Sequence, residues 1–200
     1  MKTFKNTVLT ATLLGLATSA LAHTGIGATH DFVAGMMHTW QGFDHLLVMF
    51  VIGFWGFMLA GRLTWQLPLN FLMLMLAGAG LHFADFTLSF AEVWVRLSVV
   101  VFAFILVFNP RLSAVLAAGL VAVFALFHGY VHAAEIVTGA DPFGYIAGFL
   151  LSTAVLHGLG IGAGWLISKI TQYSVTSLPL LYRVMRLLPK QHINHYVSSI

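Results

Sequence analysis

Inside the apolar run from Phe124 to Glu135 stand His128, His132 and Glu135. On a helix these occupy positions i, i+4 and i+7, so the three side chains share one stripe. Imidazole with carboxylate is the donor set of Ni, Zn, Cu or Co sites. A membrane helix does not carry such groups without a partner, so the stripe must face something. Further candidates sit in comparable settings: His38, the Asp44-His45 pair, His82 with Asp85, and His157, with His23 and His30 upstream.

The surroundings are those of an integral membrane protein. Of 200 residues, 60% are hydrophobic and only 8% are charged, and the mean hydropathy is +0.94, values foreign to a soluble globular domain. Nine Lys and Arg face six Asp and Glu, but Lys2 and Lys5 lie in a signal-like segment. The remaining balance is nearly neutral and gives no reason to expect a nucleic-acid partner. With no cysteine in the chain, disulfides and thiolate ligands are excluded, and a metal would be held by His, carboxylate, Met or backbone.

The elements that must position the polar residues follow from hydropathy. Residues 1–22 read as a cleaved signal peptide: two lysines, an apolar run from Val8 to Leu16, and Ala20-Leu21-Ala22 as the small-x-small cleavage pattern. Cleavage there makes His23 the mature N-terminus, on the outer face, where its amine and ring could chelate together. An uncleaved first helix is the alternative. Five spans of about 20 apolar residues each then follow, at 43–60, 67–84, 92–109, 113–132 and 143–167. The expected fold is all-α, a polytopic transmembrane helix bundle over 23–171.

Entry from outside puts Arg62, Arg111 and Lys169 on the cytoplasmic side, as the positive-inside tendency requires. Asp31, Asp44, Asp85, Glu92, Glu135 and Asp141 fall at the other side, with Arg96 able to pair with Glu92 one turn before it. Residues 172–200 read as an amphipathic cytoplasmic tail, or as a degenerate sixth span over 174–189 interrupted by Pro179, Arg183 and Arg186. His192 and His195 then read as solvated. Gly144/Gly148, Gly158/Gly162 and Gly160/Gly164 have the spacing of close helix contacts, making the fifth span a packing centre.

This topology places Asp44, His45, His82, Asp85, His128, His132 and Glu135 at similar depth on one side, with His157 further in. A single intramembrane histidine can serve helix packing alone, and two facing ones can hold a haem. Carboxylates among the imidazoles, with almost no buried Lys or Arg to pair them, favour a cation as the missing partner.

The residues resemble a known family. His38-Thr-Trp-Gln-Gly42-Phe-Asp44-His45 is similar to the HP-x-x-G-x-DH opening of the HupE/UreJ membrane proteins, and Phe127-His128-Gly129-Tyr-Val-His132-Ala-Ala-Glu135 is similar to their FHG-x-AHG-x-E segment. Phe149 to Gly160, with Ala154, Leu156 and His157, resembles their GF-x-x-AT-x-x-LH-x-x-G helix. The resemblance covers roughly residues 20–170. Thr39 stands in place of the usual proline, Ala133 in place of a glycine, and the final span is poorly kept. His82 and Asp85 lie outside the signature.

The resemblance implies a secondary permease for Ni(II), with Co(II) as the next candidate, and a metal path through His38, Asp44, His45, His128, His132, Glu135 and His157. His23, His30, His82 and Asp85 are weaker candidates. It implies a bacterial cytoplasmic (inner) membrane, with the lipid bilayer and the metal ion as partners and metallochaperones or hydrogenase/urease maturation proteins downstream. No organic cofactor and no enzymatic activity are expected, and no ATP-binding motif is present. Ligation needs neutral imidazole, so uptake should weaken as pH falls through the histidine range. Two other classes compete: a membrane-embedded Zn hydrolase with Glu135 or Asp44 as base, and a metal-binding accessory protein that does not transport.

Overall fold

In the computed structural model, residues 32–177 are described except 109, 111, 137 and 138, and 172–177 by backbone alone. The signal peptide 1–22, His23, His30, Asp31, Arg111 and the tail from 178 onward, with His192 and His195, lie outside the described residues. Among the described residues there are six helices: α1 (Phe32–Gln41), α2 (Phe43–Leu59), α3 (Leu63–Phe83), α4 (Ala91–Phe108), α5 (Ala114–Ala134) and α6 (Pro142–Ser177).

Four of them, α3 to α6, are long and apolar enough to cross a membrane. The 17-residue α2 meets the same criterion together with α1, from which it turns by 87°. The expected spans therefore appear as helices, within a few residues of their expected limits. Two differences stand out. The segment carrying His38, which lies before the first expected span, is helical and folds onto the bundle. The fifth span is one unbroken helix of 36 residues, about 54 Å long against a hydrocarbon core of about 30 Å. It continues ten residues past 167, the expected end of the fifth span.

Local chemistry explains the breaks. Gly42 is extended at φ −95° and ψ 117°, which interrupts the helical run between α1 and α2, and a Cβ there would lie 2.7 Å from the Asp44 carboxylate. Ala60 and Gly61 turn the chain with φ of 61° and 60°. Ser113 caps α5 by accepting from the Leu116 N–H at 3.3 Å.

Apolar side chains occupy both the inside and the outside. Trp55, Phe71, Phe102, Met49 and Ile52 are buried between helices, while Trp65, Leu69, Phe104, Val115, Phe143 and Trp165 point outward. Apolar exposure on this scale suits a hydrocarbon solvent.

Burying more apolar surface does not hold such helices together; close packing does. The bundle is built from two parallel pairs. In α3 and α5, a Cβ on Gly129 would overlap the Met75 carbonyl, and one on Gly78 the Leu126 carbonyl. Nearer the other end of the same pair, Asn70 Nδ2 donates to Ala118 O at 2.8 Å. In α2 and α6, Gly53 meets the His157 carbonyl and Gly160 the Phe50 carbonyl, with Gly164 against the Phe57 ring. The short α1 crosses the start of α6, Gly35 against Tyr145 and Gly148 against Phe32. Of the three glycine pairs expected in the fifth span, Gly158 and Gly162 meet nothing among the described residues. The packing centre is spread over α2, α3 and α5 as well.

Gly129→Ala should therefore lower stability by about 2 kcal/mol or more, whereas Gly80→Ala, with nothing near its Cβ position among the described residues, should be neutral or slightly stabilising. Thermal unfolding of the purified protein in detergent checks this, and equal shifts for both variants would contradict the packing.

Candidate metal centre

At one end of the bundle three elements present an imidazole to a common point. His38 comes from the last turn of α1, His45 from the first turn of α2 and His132 from the last turn of α5. One ligand nitrogen from each lies within 4.8 Å of the others. The ring centroids are 4.5 Å apart for His45 and His132, 4.9 Å for His38 and His132, and 5.4 Å for His38 and His45. His45 and His132 are buried and His38 nearly so.

The carboxylates act around this triangle. Glu135 sits just past α5, where the chain turns back, and accepts from His132 Nδ1 at 2.9 Å, which makes Nε2 the nitrogen of that ring able to ligate. The same Glu135 oxygen lies 3.5 Å from His38 Nε2. Asp44, buried in the first turn of α2, accepts from the His45 backbone N–H at 3.0 Å, and its Oδ1 is 3.1 Å from His45 Nδ1. A carboxylate at a helix N-terminus is favoured by the unpaired N–H groups there.

Aromatic walls complete the centre. The Phe149 ring lies 4.4 Å from His132, and Tyr145, stacked on Phe149, meets His38 at 6.1 Å. A cavity of about 20 Å³ opens beside Asp44, His45 and His132 between α2, α4 and α5, with Glu92 and Arg96 among its lining. That is room for about one water-sized species. Arg96 is held to Glu92 at 3.1 Å, the pair expected one helical turn apart.

His128 stands one turn below His132, its ring 6.0 Å from His45 and 6.1 Å from His132. His157 does not reach the triangle: its nearest described ring is Phe71 at 5.4 Å, and Phe71 also touches His128 at 5.6 Å. His82 packs instead on Tyr130 and Phe83, and Asp85 is exposed at a turn with φ 59°. The structure thus gathers His38, Asp44, His45, His132 and Glu135, sets His128 just beneath, and leaves His157, His82 and Asp85 apart. Tyr145 and Phe149 carry no donor pattern that would single them out in sequence as walls; only the fold of α1 against α6 assigns them.

Residues 11–186 match the family described as HupE / UreJ protein. The chain belongs to the HupE/UreJ family. It is also 37% identical over 159 residues, 79% of this chain and 83% of its relative, to Protein HupE of Rhizobium leguminosarum bv. viciae. No solved structure matches it. As a HupE/UreJ protein with several apolar helices, it is a multi-pass membrane protein.

The chemistry open to this HupE/UreJ centre is ligation of a borderline dication by imidazole and oxygen, with Glu135 fixing the His132 ring. Glu135→Gln should weaken Co(II) or Ni(II) binding about 10–100-fold while leaving the melting temperature in place. Visible absorption of Co(II) titrated into the purified protein checks it, and undiminished affinity would remove Glu135 from the centre.

Proposed function

We propose that this chain is a secondary permease that takes up a divalent transition metal, Ni(II) first and Co(II) second, across the bacterial cytoplasmic membrane. The observation that carries this is the meeting of His38, His45 and His132 from three separate elements beside Asp44 and Glu135. Three imidazoles with two carboxylates suit Ni(II) or Co(II) in donor type and can neutralise a double charge inside an apolar bundle. His38 then belongs to the centre itself, and His128 is the next donor inward.

Charge distribution supports an outward-facing centre. Asp44, Asp85, Glu92, Glu135 and Asp141 all lie at the centre's end of the bundle, while Arg62 and Lys169 lie at the other, the arrangement of a cytoplasmic side rich in Lys and Arg. A mature N-terminus outside, after removal of 1–22, agrees with it. Metallochaperones or hydrogenase and urease maturation proteins would receive the ion.

The three-histidine triangle beside a carboxylate also suits a hydrolytic Zn centre, and an accessory protein could bind without moving the ion. Transport separates the three readings. In cells given radiolabelled Ni(II), Asp44→Ala, His128→Ala and His132→Ala should each reduce accumulation to background with the protein still in the membrane. Wild-type uptake by all three variants would sink the permease centre. Metal-dependent hydrolysis without flux would favour the enzyme, and binding without flux the accessory protein.

A further inference from the structure

One charge at the centre's end of the bundle has the wrong sign for its place. Among the described residues Arg62 and Lys169 lie at the opposite end, and Arg96 alone of the Lys and Arg side chains stands at this one. It sits in the second turn of α4, a helix apolar enough to cross a membrane, where an ionisable group is costly to keep and points to a function. The face it occupies is the one turned to the bundle. Glu92, Val95, Arg96 and Val99 follow at i, i+3, i+4 and i+7 on one stripe of the helix, and Val95 and Val99 are buried. Val93, Leu97, Val100 and Phe104 are exposed on the other face.

Arg96 and Glu92 line the cavity of about 20 Å³ whose other walls include Asp44, His45 and His132. Burial is graded across it. The Arg96 and Glu92 side chains are 61% and 74% exposed, those of His45 and Asp44 only 4% and 9%. A cavity that holds about one water has opposite walls about two hydrogen-bond lengths apart, inside the Debye length of about 8 Å at physiological salt. Charges on these walls therefore act on one another. The 3.1 Å bond from Arg96 to Glu92 is an exposed pair, which adds little stability, so support of α4 does not account for the guanidinium. On the buried side, His45 Nδ1 makes no hydrogen bond among the described residues and lies 3.1 Å from Asp44 Oδ1.

We propose that Arg96 is a tethered counter-cation of the metal centre. From the cavity wall, where Glu92 holds it, its charge balances the Asp44 carboxylate while the centre is empty and opposes the dication when the centre is filled. This rests on the permease reading and adds to it the residue that sets how tightly the ion is held. The two carboxylates of the centre are not equally provided for. Glu135 is met by His132 and His38, whereas Asp44, the more buried of the two, accepts from the His45 main-chain N–H. A permease passes through an empty state in every cycle, and a buried carboxylate without a compensating charge is expensive there. Guanidinium offers five donors and no lone pair, so Arg96 cannot ligate the metal, and repulsion is its direct effect on a bound dication. An ion opposed in this way is held loosely enough to leave.

The test uses purified full-length protein, wild type, Arg96→Gln and Arg96→Lys, with Ni(II) alone as the probe. Equilibrium binding is measured by calorimetry at about 0.05 M salt and again at about 1 M, where the Debye length falls to about 3 Å. Arg96 is exposed enough that both variants should keep the wild-type melting temperature. At low salt Arg96→Gln should bind about fivefold or more tightly than wild type, and at high salt the gap should close to within about twofold. Loss of the guanidinium also leaves Glu92 unbalanced at the same cavity, which acts in the same direction. Arg96→Lys, which keeps the charge, should stay within about twofold of wild type at both salts. Unchanged or weaker binding by Arg96→Gln would overturn the counter-cation, as would a tightening that Arg96→Lys shares or that persists at high salt. A lowered melting temperature in Arg96→Gln would make Arg96 a structural residue and overturn it as well. Wild-type protein that binds no Ni(II) would overturn the centre on which the permease reading stands. That result differs from a binding wild type with unshifted variants, which overturns the role of Arg96 alone.

Discussion

Backbone-to-backbone contact at glycine is the constraint on which the rest of this bundle depends. Of the five histidines of the candidate path, all but His45 stand within a few residues of a place where a Cβ would collide with a neighbouring carbonyl. Gly35 precedes His38 by one turn and meets Tyr145; Gly129 lies between His128 and His132 and meets Met75; Gly53 meets the carbonyl of His157 itself. In a hydrocarbon solvent there is no hydrophobic drive to bring helices together, so approach distance is set by residue size at the contact. The same small residues that hold the helices therefore fix how closely the imidazoles converge.

That coupling also explains how ionisable groups persist in so apolar a setting. An isolated buried carboxylate or imidazole would cost several kcal/mol (about 2–7 for an unpaired polar group), but here each is met by another. Glu135 holds His132, the His45 N–H holds Asp44, and main-chain carbonyls hold His128 and His157. Glu135 and the two main-chain carbonyls each engage Nδ1 of the ring they meet, the anchoring found around metal-bound histidines. The 87° turn at Gly42 serves the same end by folding α1 back so that His38 joins residues that follow it in sequence.

Much of this was legible in the sequence, and the reasons are physical. Twenty-residue apolar runs announce spans because the bilayer demands them, and His128, His132 and Glu135 announce a shared stripe because helical periodicity does. The Glu92–Arg96 pair was legible for the same reason. What was not legible depends on tertiary contact. The ten residues of α1 are too few and too mixed to register as a span, so their packing on α6, and with it the position of His38, had no local signal. Glycine contacts are equally silent: Gly158 and Gly162 have the expected spacing and meet nothing among the described residues, while Gly78 and Gly129, on two different helices, each meet a carbonyl of the other helix. His82 and Asp85 looked like a ligand pair by type and depth, yet the rotation of α3 turns His82 to Tyr130.

Ligation of one metal ion by several imidazoles at once would leave a distinct spectroscopic trace. X-ray absorption spectroscopy of the purified protein loaded with one equivalent of Ni(II) tests this most directly. The spectrum should carry multiple-scattering features of about three histidine rings with oxygen completing the shell. A spectrum of an all-oxygen shell without imidazole scattering would contradict it.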